Sequence, residues 1–173
     1  MEQMRRYGIP ASVTLAQGII ESAEGKSMLS RTANNHFGVK GEFNGQYVRA
    51  DDDKPNEKFK KYDNVGQSYE DHSKVLMGDR YQKYTRNLSP DDYKGWAAGI
   101  KAGGYATAKN YVGTIVGVIE GANLQKYDQM VIDRPRERER RLALQTTETE
   151  PCLPLQHLPL RKSQLPMVFI LCR

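Results

Sequence analysis

Two acidic features of this sequence, Glu21 and Asp51–Asp53, have residue types suited to acid–base chemistry. Glu21 follows two isoleucines near the end of a predicted amphipathic helix, where apolar neighbours and the negative end of the helix dipole both raise a carboxyl pKa. A carboxylic acid that stays protonated near neutral pH is what general-acid cleavage of a glycosidic bond requires. One carboxylate of Asp51–Asp53 could then activate water or stabilise positive charge at the anomeric carbon.

Position alone leaves other interpretations of these residues open. Glu21 is also compatible with an exposed ion pair, and Asp51–Asp53 with a solvated turn or a weak cation site that lacks the rest of a calcium loop. The chain has ten tyrosines, whose flat rings suit stacking against sugars. Tyr62, Tyr69 and Trp96 nevertheless lie on apolar faces and are predicted to belong to the core.

Other chemistries lack their sequence motifs. The chain has no phosphate-binding G-x-x-x-x-G-K-[ST] and no G-x-S-x-G nucleophile turn. Its two cysteines, Cys152 and Cys172, and its three scattered histidines do not have zinc-ligand spacing. No metal or organic cofactor is therefore predicted. No apolar run approaches the ~18 residues of a membrane-spanning helix, and the first ten residues lack the apolar stretch of a signal peptide.

Helical patterns dominate residues 1–132. Residues 1–7 predict the end of a helix that Gly8 interrupts, and Pro10 begins the next helix. The predicted buried stripe of that second helix consists of Val13, Ala16, Ile19 and Ile20.

A change of period after residue 37 predicts a β-hairpin. Its arms are residues 43–47 and 59–62, and residues 51–56 form the loop between them. Three later helices are predicted to begin at Ser68, Ser89 and Lys109. Helices, a short hairpin and more helices in this order are typical of an α+β fold in which the hairpin flanks a cleft.

The composition divides the chain into a body, residues 1–132, and a tail, residues 133–173. The tail holds eight of the 26 basic and five of the 21 acidic residues, so much of the net charge of +5 belongs to it. It lacks turn and core signals and is predicted to be a disordered or non-native extension. The alternative is an arm that binds nucleic acid or a membrane surface through its arginines.

Four blocks of sequence, in this order, resemble the bacterial cell-wall glucosaminidase family, which includes autolysin domains and the flagellar-rod peptidoglycan hydrolase. The first two blocks are Ile9–Ser22, with L-A-Q and E-S, and Asn34–Gly41, with N-H-F-G. The later two are Tyr69–Ser73 and Gly104–Thr107, the last followed by a tyrosine. The resemblance covers residues 2–127.

This resemblance implies a mostly helical, lysozyme-like α+β fold with a small β-hairpin lobe flanking the cleft. It implies hydrolysis of the β-1,4 bond after N-acetylglucosamine in peptidoglycan, with Glu21 as the general acid. The second acid falls on Asp52 or Asp53, and Asp53 is preferred as the catalytic residue. The resemblance places Asp52, Phe37 and Tyr105 against the substrate. It leaves inverting, retaining and substrate-assisted chemistry open.

The sequence departs from the family after the catalytic glutamate. Ala23-Glu24-Gly25 stands where members often have Gly-Trp-Gly, which removes one aromatic residue. Most members are exported, so a periplasmic or cell-wall location is implied. The chain itself shows no export signal and begins inside a family helix, which predicts an N-terminally truncated domain.

Two alternatives to this function remain open at this point. One is a lysozyme or lytic transglycosylase that cleaves the N-acetylmuramic acid bond with a single acid. The other is a peptidoglycan-binding module without catalysis. The predicted partner is the glycan strand. Nucleic acid is not a predicted partner, since the body offers no basic stripe. The protein is also predicted to be a monomer without integral membrane contact.

Overall fold

The computed structural model of the chain describes residues 1–147, except for the side chains of residues 136, 137 and 140–147. The chain divides into a compact unit, Met1–Arg138, and a second unit, Glu139–Arg173. The elements in chain order are α1 (Glu2–Tyr7), α2 (Ala11–Glu21), α3 (Met28–Ala33), β1 (Tyr47–Ala50), β2 (Glu57–Lys60), α4 (Val65–Leu76), α5 (Asp79–Thr85), α6 (Tyr93–Ala102), α7 (Tyr111–Gly121) and α8 (Lys126–Thr147). Within residues 1–147, no helix is both long and apolar enough to cross a membrane.

The first two helices form where the sequence predicts them. Gly8 ends α1 in the left-handed conformation at φ +71°, and α2 begins directly after Pro10. Of the predicted stripe, Val13 and Ala16 are buried, whereas Ile20 is 37% exposed. Ile19 is partly buried and packs against the core, so the prediction was wrong only for Ile20, which lies on the exposed side of the last turn.

The core of the first unit lies between helices α2, α6 and α7. Its members are buried apolar side chains that come from these helices and the segments around them. They are Ile9, Val13, Ala16, Leu76, Tyr81, Trp96, Ala97, Ile100, Tyr111, Ile115, Ile119 and Leu124. Tyr62 and Trp96 are buried as predicted, but Tyr69 is only half-buried and lines a surface cavity. The core prediction was therefore wrong for Tyr69.

The two strands form a small antiparallel sheet in which Val48 pairs with Phe59. The predicted first arm, residues 43–47, was placed too early. Phe43 and Gln46 exchange two backbone hydrogen bonds, at 3.0 and 2.8 Å, around two residues with positive φ. This tight turn reverses the chain, so the strand begins only at Tyr47.

The later helices differ from the prediction in the starts of two helices and in one additional helix. Helix α4 begins after Asn64, whose side chain accepts a hydrogen bond from the backbone N–H of Gln67. Ser68, the predicted cap, lies inside α4 and its hydroxyl accepts from the backbone N–H of His36. Helix α6 begins at Tyr93, after the cap Asp92, rather than at Ser89. Helix α5 was not predicted, whereas α7 lies where expected.

The structure describes only the first part of the predicted tail, residues 133–147. Helix α8 continues across the predicted boundary at residue 132 and contains Pro135. Residues 148–173 lie outside the described residues. The division into a body and a non-native tail therefore stays a prediction.

Candidate active site

Glu21 is the last residue of α2, and the chain leaves this helix through a Schellman turn. The backbone N–H of Glu24 bonds the carbonyl of Ile19 at 2.8 Å, and that of Ala23 bonds Ile20 at 3.3 Å. The buried Ser22 hydroxyl donates to the Gly18 carbonyl and accepts from the Gly25 N–H. These bonds fix the end of the helix and hence the direction of the glutamate.

Phe37 is positioned by the loop that follows α3. Asn34 ends α3 at φ +51°, and the buried Asn35 side chain bonds both the N–H and the carbonyl of Val39 at 3.0 Å. The same Asn35 amide donates to the carbonyl of Lys60 on β2. The asparagines of the N-H-F-G block thus shape the loop and join it to the hairpin, while Phe37 points toward the helices.

Tyr105 is positioned by a second Schellman turn, at the end of α6. Its N–H bonds the carbonyl of Ile100, and Gly104 adopts φ +79° just before it. Arg80 of α5 donates to the carbonyls of Gly103 and Gly104, which completes the helix end. Glycine is needed at 103 because a Cβ there would lie 2.4 Å from the Tyr81 ring.

These three residues meet in one cavity of about 240 Å³. Its walls come from α2, the loop after α3, α4, α5 and the turn after α6. The lining residues are Glu21, Phe37, Val39, His72, Val75, Tyr81 and Tyr105. Of these described residues, Glu21 alone is acidic, so the cavity presents one carboxyl group among aromatic and aliphatic surfaces.

The cavity shifts the ionisation of its polar groups toward the neutral form. Glu21 keeps access to solvent, but the surrounding protein desolvates its carboxyl group and raises its pKa. Burial also raises the pKa of Tyr105, and the negative charge of Glu21 adds to that effect. The expectation from the sequence that the pKa of Glu21 is raised therefore agrees with its surroundings.

Asp52 and Asp53 lie on the exposed hairpin loop and are not lining residues of this cavity. Both bond the ammonium group of Lys40, at 3.0 and 2.8 Å, and Glu57 joins the same group at 3.0 Å. The hydrogen bond from Lys40 lowers the pKa of Asp53, which is 83% exposed at its side chain. The roles assigned to the two aspartates stay predictions.

Lys40, which binds this acidic group, directly follows Val39, and Val39 lines the cavity wall. The acidic group and the cavity are therefore linked by adjacent residues of one loop. Oxygen atoms of Asp52, Asp53 and Glu57 lie within 4.8 Å of one another, the spacing of a cation site. The Lys40 ammonium already neutralises part of that charge. An exposed acidic group of this kind is no evidence for a bound metal.

Sequence reasoning missed several residues that build the cavity. His72 belongs to the Tyr69–Ser73 block, but its spacing from other histidines pointed to no role. Tyr81 was missed because α5 was not predicted, and Val75 was missed although it lies in a predicted helix. A second cavity, of about 290 Å³, includes Gly18 and Ile19 from the last turns of α2 together with Tyr69. No local pattern predicted this second cavity.

Comparisons with known proteins identify the family to which the chain belongs. Residues 1–124 match the glucosaminidase family, described as mannosyl-glycoprotein endo-beta-N-acetylglucosaminidase. The exo-glucosaminidase LytG of Bacillus subtilis (strain 168) is 34% identical over 136 residues, which cover 72% of this chain and 48% of that protein. The chain thus spans about half the length of that relative.

Solved structures share the fold. The catalytic domain of the autolysin Auto from Listeria monocytogenes has a TM-score of 0.64 and 31% identity, covering 73% of this chain and 79% of that one. A peptidoglycan hydrolase from Sphingomonas sp. A1 has a TM-score of 0.61 and 27% identity, covering 75% and 86%. The chain belongs to the glucosaminidase family. The family, the lysozyme-like fold and the glycoside hydrolase class predicted from the sequence are confirmed.

Proposed function

We propose that the protein is a peptidoglycan hydrolase that cleaves the β-1,4 bond after N-acetylglucosamine, with Glu21 as the general acid. The observation that supports this most strongly is the Glu21 carboxyl group in a cavity of aromatic walls that raise its pKa. A protonated carboxyl group can donate its hydrogen to the leaving oxygen as the bond breaks. The ring faces of such a cavity suit the apolar side of a sugar.

The second carboxylate is proposed to come from the hairpin loop. Lys40 keeps the pKa of Asp53 low, so Asp53 stays ionised at the pH where Glu21 is still partly protonated. Oppositely shifted carboxyl groups suit an acid and a base or electrostatic stabiliser. Because Asp53 lies outside the cavity, this role requires the loop to approach the bound glycan, with Asp52 contacting the sugar.

A second candidate function follows from the single carboxyl group in the cavity. A lysozyme or lytic transglycosylase that cleaves the N-acetylmuramic acid bond needs only one acid, and Glu21 alone would supply it. Both candidates act on the cell wall, so we propose a periplasmic or extracellular place of action. The peptidoglycan strand is the proposed partner, and the protein is proposed to act as a monomer.

Product analysis separates these candidates. Purified peptidoglycan is digested with the protein, the products are reduced with borohydride, and their ends are identified by mass spectrometry. Reduced N-acetylglucosamine ends support the glucosaminidase. Muramic or anhydromuramic ends support the second candidate. Binding to the cell wall without any product would refute both and favour a glycan-binding module.

The aspartates are tested in the same digestion. Asp53→Asn is expected to slow product formation, and Asp51→Asn is the matched control because Asp51 instead accepts a bond from the Asn56 N–H within the loop. Equal rates for Asp53→Asn and wild type would remove Asp53 from the mechanism. Substrate-assisted chemistry with one carboxyl group would then be the better account.

A further inference from the structure

His72 is a buried residue of α4 whose imidazole ring is fixed on two sides. The residue is 1% exposed, and its ring stacks on Phe37 with centroids 3.8 Å apart and an angle of 11°. Its Nε2 lies 3.1 Å from the hydroxyl oxygen of Tyr105. Tyr105 meets the imidazole ring edge-on, so rotation of either ring would break a packed contact.

The other nitrogen of this ring decides which atom carries the hydrogen. His72 Nδ1 is buried and has no hydrogen-bond partner among the residues that the structure describes. Burial also lowers the pKa of His72 to about 3, so the ring is neutral and has one N–H and one bare nitrogen. A buried N–H without an acceptor is rarer in proteins than a buried acceptor without a donor. The hydrogen therefore belongs on Nε2.

This tautomer fixes the direction of the Tyr105 hydroxyl group. If Nε2–H donates to the Tyr105 oxygen, the phenolic hydrogen cannot point back at His72. We propose that His72 is a positioning residue that aims the Tyr105 O–H into the cavity beside Glu21. There it is a hydrogen-bond donor for an oxygen of the bound sugar or for the Glu21 carboxylate. The proposal rests on the proposed function, because the donor needs a substrate in the cavity.

The tautomer can be measured without any enzyme assay. Long-range ¹H–¹⁵N correlation spectra of the labelled protein distinguish the two neutral imidazole forms and the imidazolium. His72 is assigned through its contacts with the Phe37 ring, so no substitution is needed. We expect the form protonated at Nε2, unchanged from about pH 5 to pH 8, as its lowered pKa requires. A hydrogen on Nδ1, or an imidazolium in that range, would overturn the proposal.

A double-mutant cycle with Tyr105 tests whether His72 acts through this tyrosine. His72→Phe keeps an aromatic ring against Phe37 but removes the donor, and Tyr105→Phe removes the hydroxyl group. Each is expected to lower the rate of peptidoglycan cleavage about fivefold to tenfold, the value of one hydrogen bond. In the double variant the two losses should not multiply. His72→Gln, which retains an N–H, is expected to restore part of the rate.

A merely structural role gives a different result. In that case His72→Phe would lower the rate by the same factor with or without the Tyr105 hydroxyl group, and its effect would follow thermal stability. That outcome would refute the positioning role while leaving the hydrolase intact. Wild-type protein that cleaves no peptidoglycan would instead refute the proposed function, and the tautomer measurement would still stand alone.

Discussion

The turn after Glu21 predicts that Ala23→Gly stabilises the protein. Ala23 occupies the position of the Schellman turn that glycine usually holds, at φ +50°. An L-residue in this left-handed conformation costs about 1–2 kcal/mol. Glycine removes that cost but gives the unfolded chain about 0.4–1 kcal/mol of additional entropy. The net gain is about 0.5–1 kcal/mol, or about 2–4 °C in Tm for a unit of this size.

Urea unfolding of the two proteins, followed by circular dichroism, measures this difference. Ala98→Gly is the matched control, because Ala98 is exposed in the middle of α6, where the same change costs about 1 kcal/mol. The two substitutions should therefore shift the midpoint in opposite directions. If Ala23→Gly destabilised the protein as much as the control, the strain assigned to this turn would be refuted.

Three further predictions concern charge and packing. Desolvation raises the folded-state pKa of Glu21, so ionisation of Glu21 lowers the free energy of unfolding as the pH rises through that pKa. Glutamine stays neutral, so Glu21→Gln should raise Tm at pH 7. This gain should vanish below about pH 4, where Glu21 is protonated in both the folded and the unfolded chain. Asp128→Ala should cost about 1–3 kcal/mol, measured by urea unfolding, because the buried Asp128 bonds the N–H and hydroxyl group of Ser12 at the start of α2. A chelator should leave cleavage of peptidoglycan unchanged, because the Lys40 ammonium already bonds all three carboxylates of the hairpin and neutralises part of their charge. Loss of activity that added calcium or magnesium restores would contradict this assignment.

Helix ends were the most predictable part of the fold. Local backbone preferences, which can be recognised from the residue types, determine the helix ends at Gly8, Pro10 and the Ser89–Asp92 segment. The start of α4 was misjudged because Ser68 and Asn64 are both good caps. The tertiary bond between Ser68 and the His36 N–H decides between them. Helix α5 was missed because its few buried residues, such as Tyr81, are separated by polar ones.

The candidate site was predictable only in its parts. The position of Glu21 at the end of an amphipathic helix predicted its raised pKa. The family resemblance supplied Phe37 and Tyr105. His72 could not be found from spacing, because its role depends on a ring stack and a hydrogen bond between distant segments. The family resemblance also supplied the hairpin aspartates, but it did not predict that they pair with Lys40 outside the cavity.

The central claim is that Glu21 is the general acid, and the cleavage rate of Glu21→Gln tests it most directly. Initial rates on purified peptidoglycan are compared with wild type at equal concentration, together with Tm at the same pH. We expect the variant to be at least as stable and slower by about 10²–10⁴, the contribution of a general acid. Near-wild-type cleavage by a folded Glu21→Gln would contradict the account.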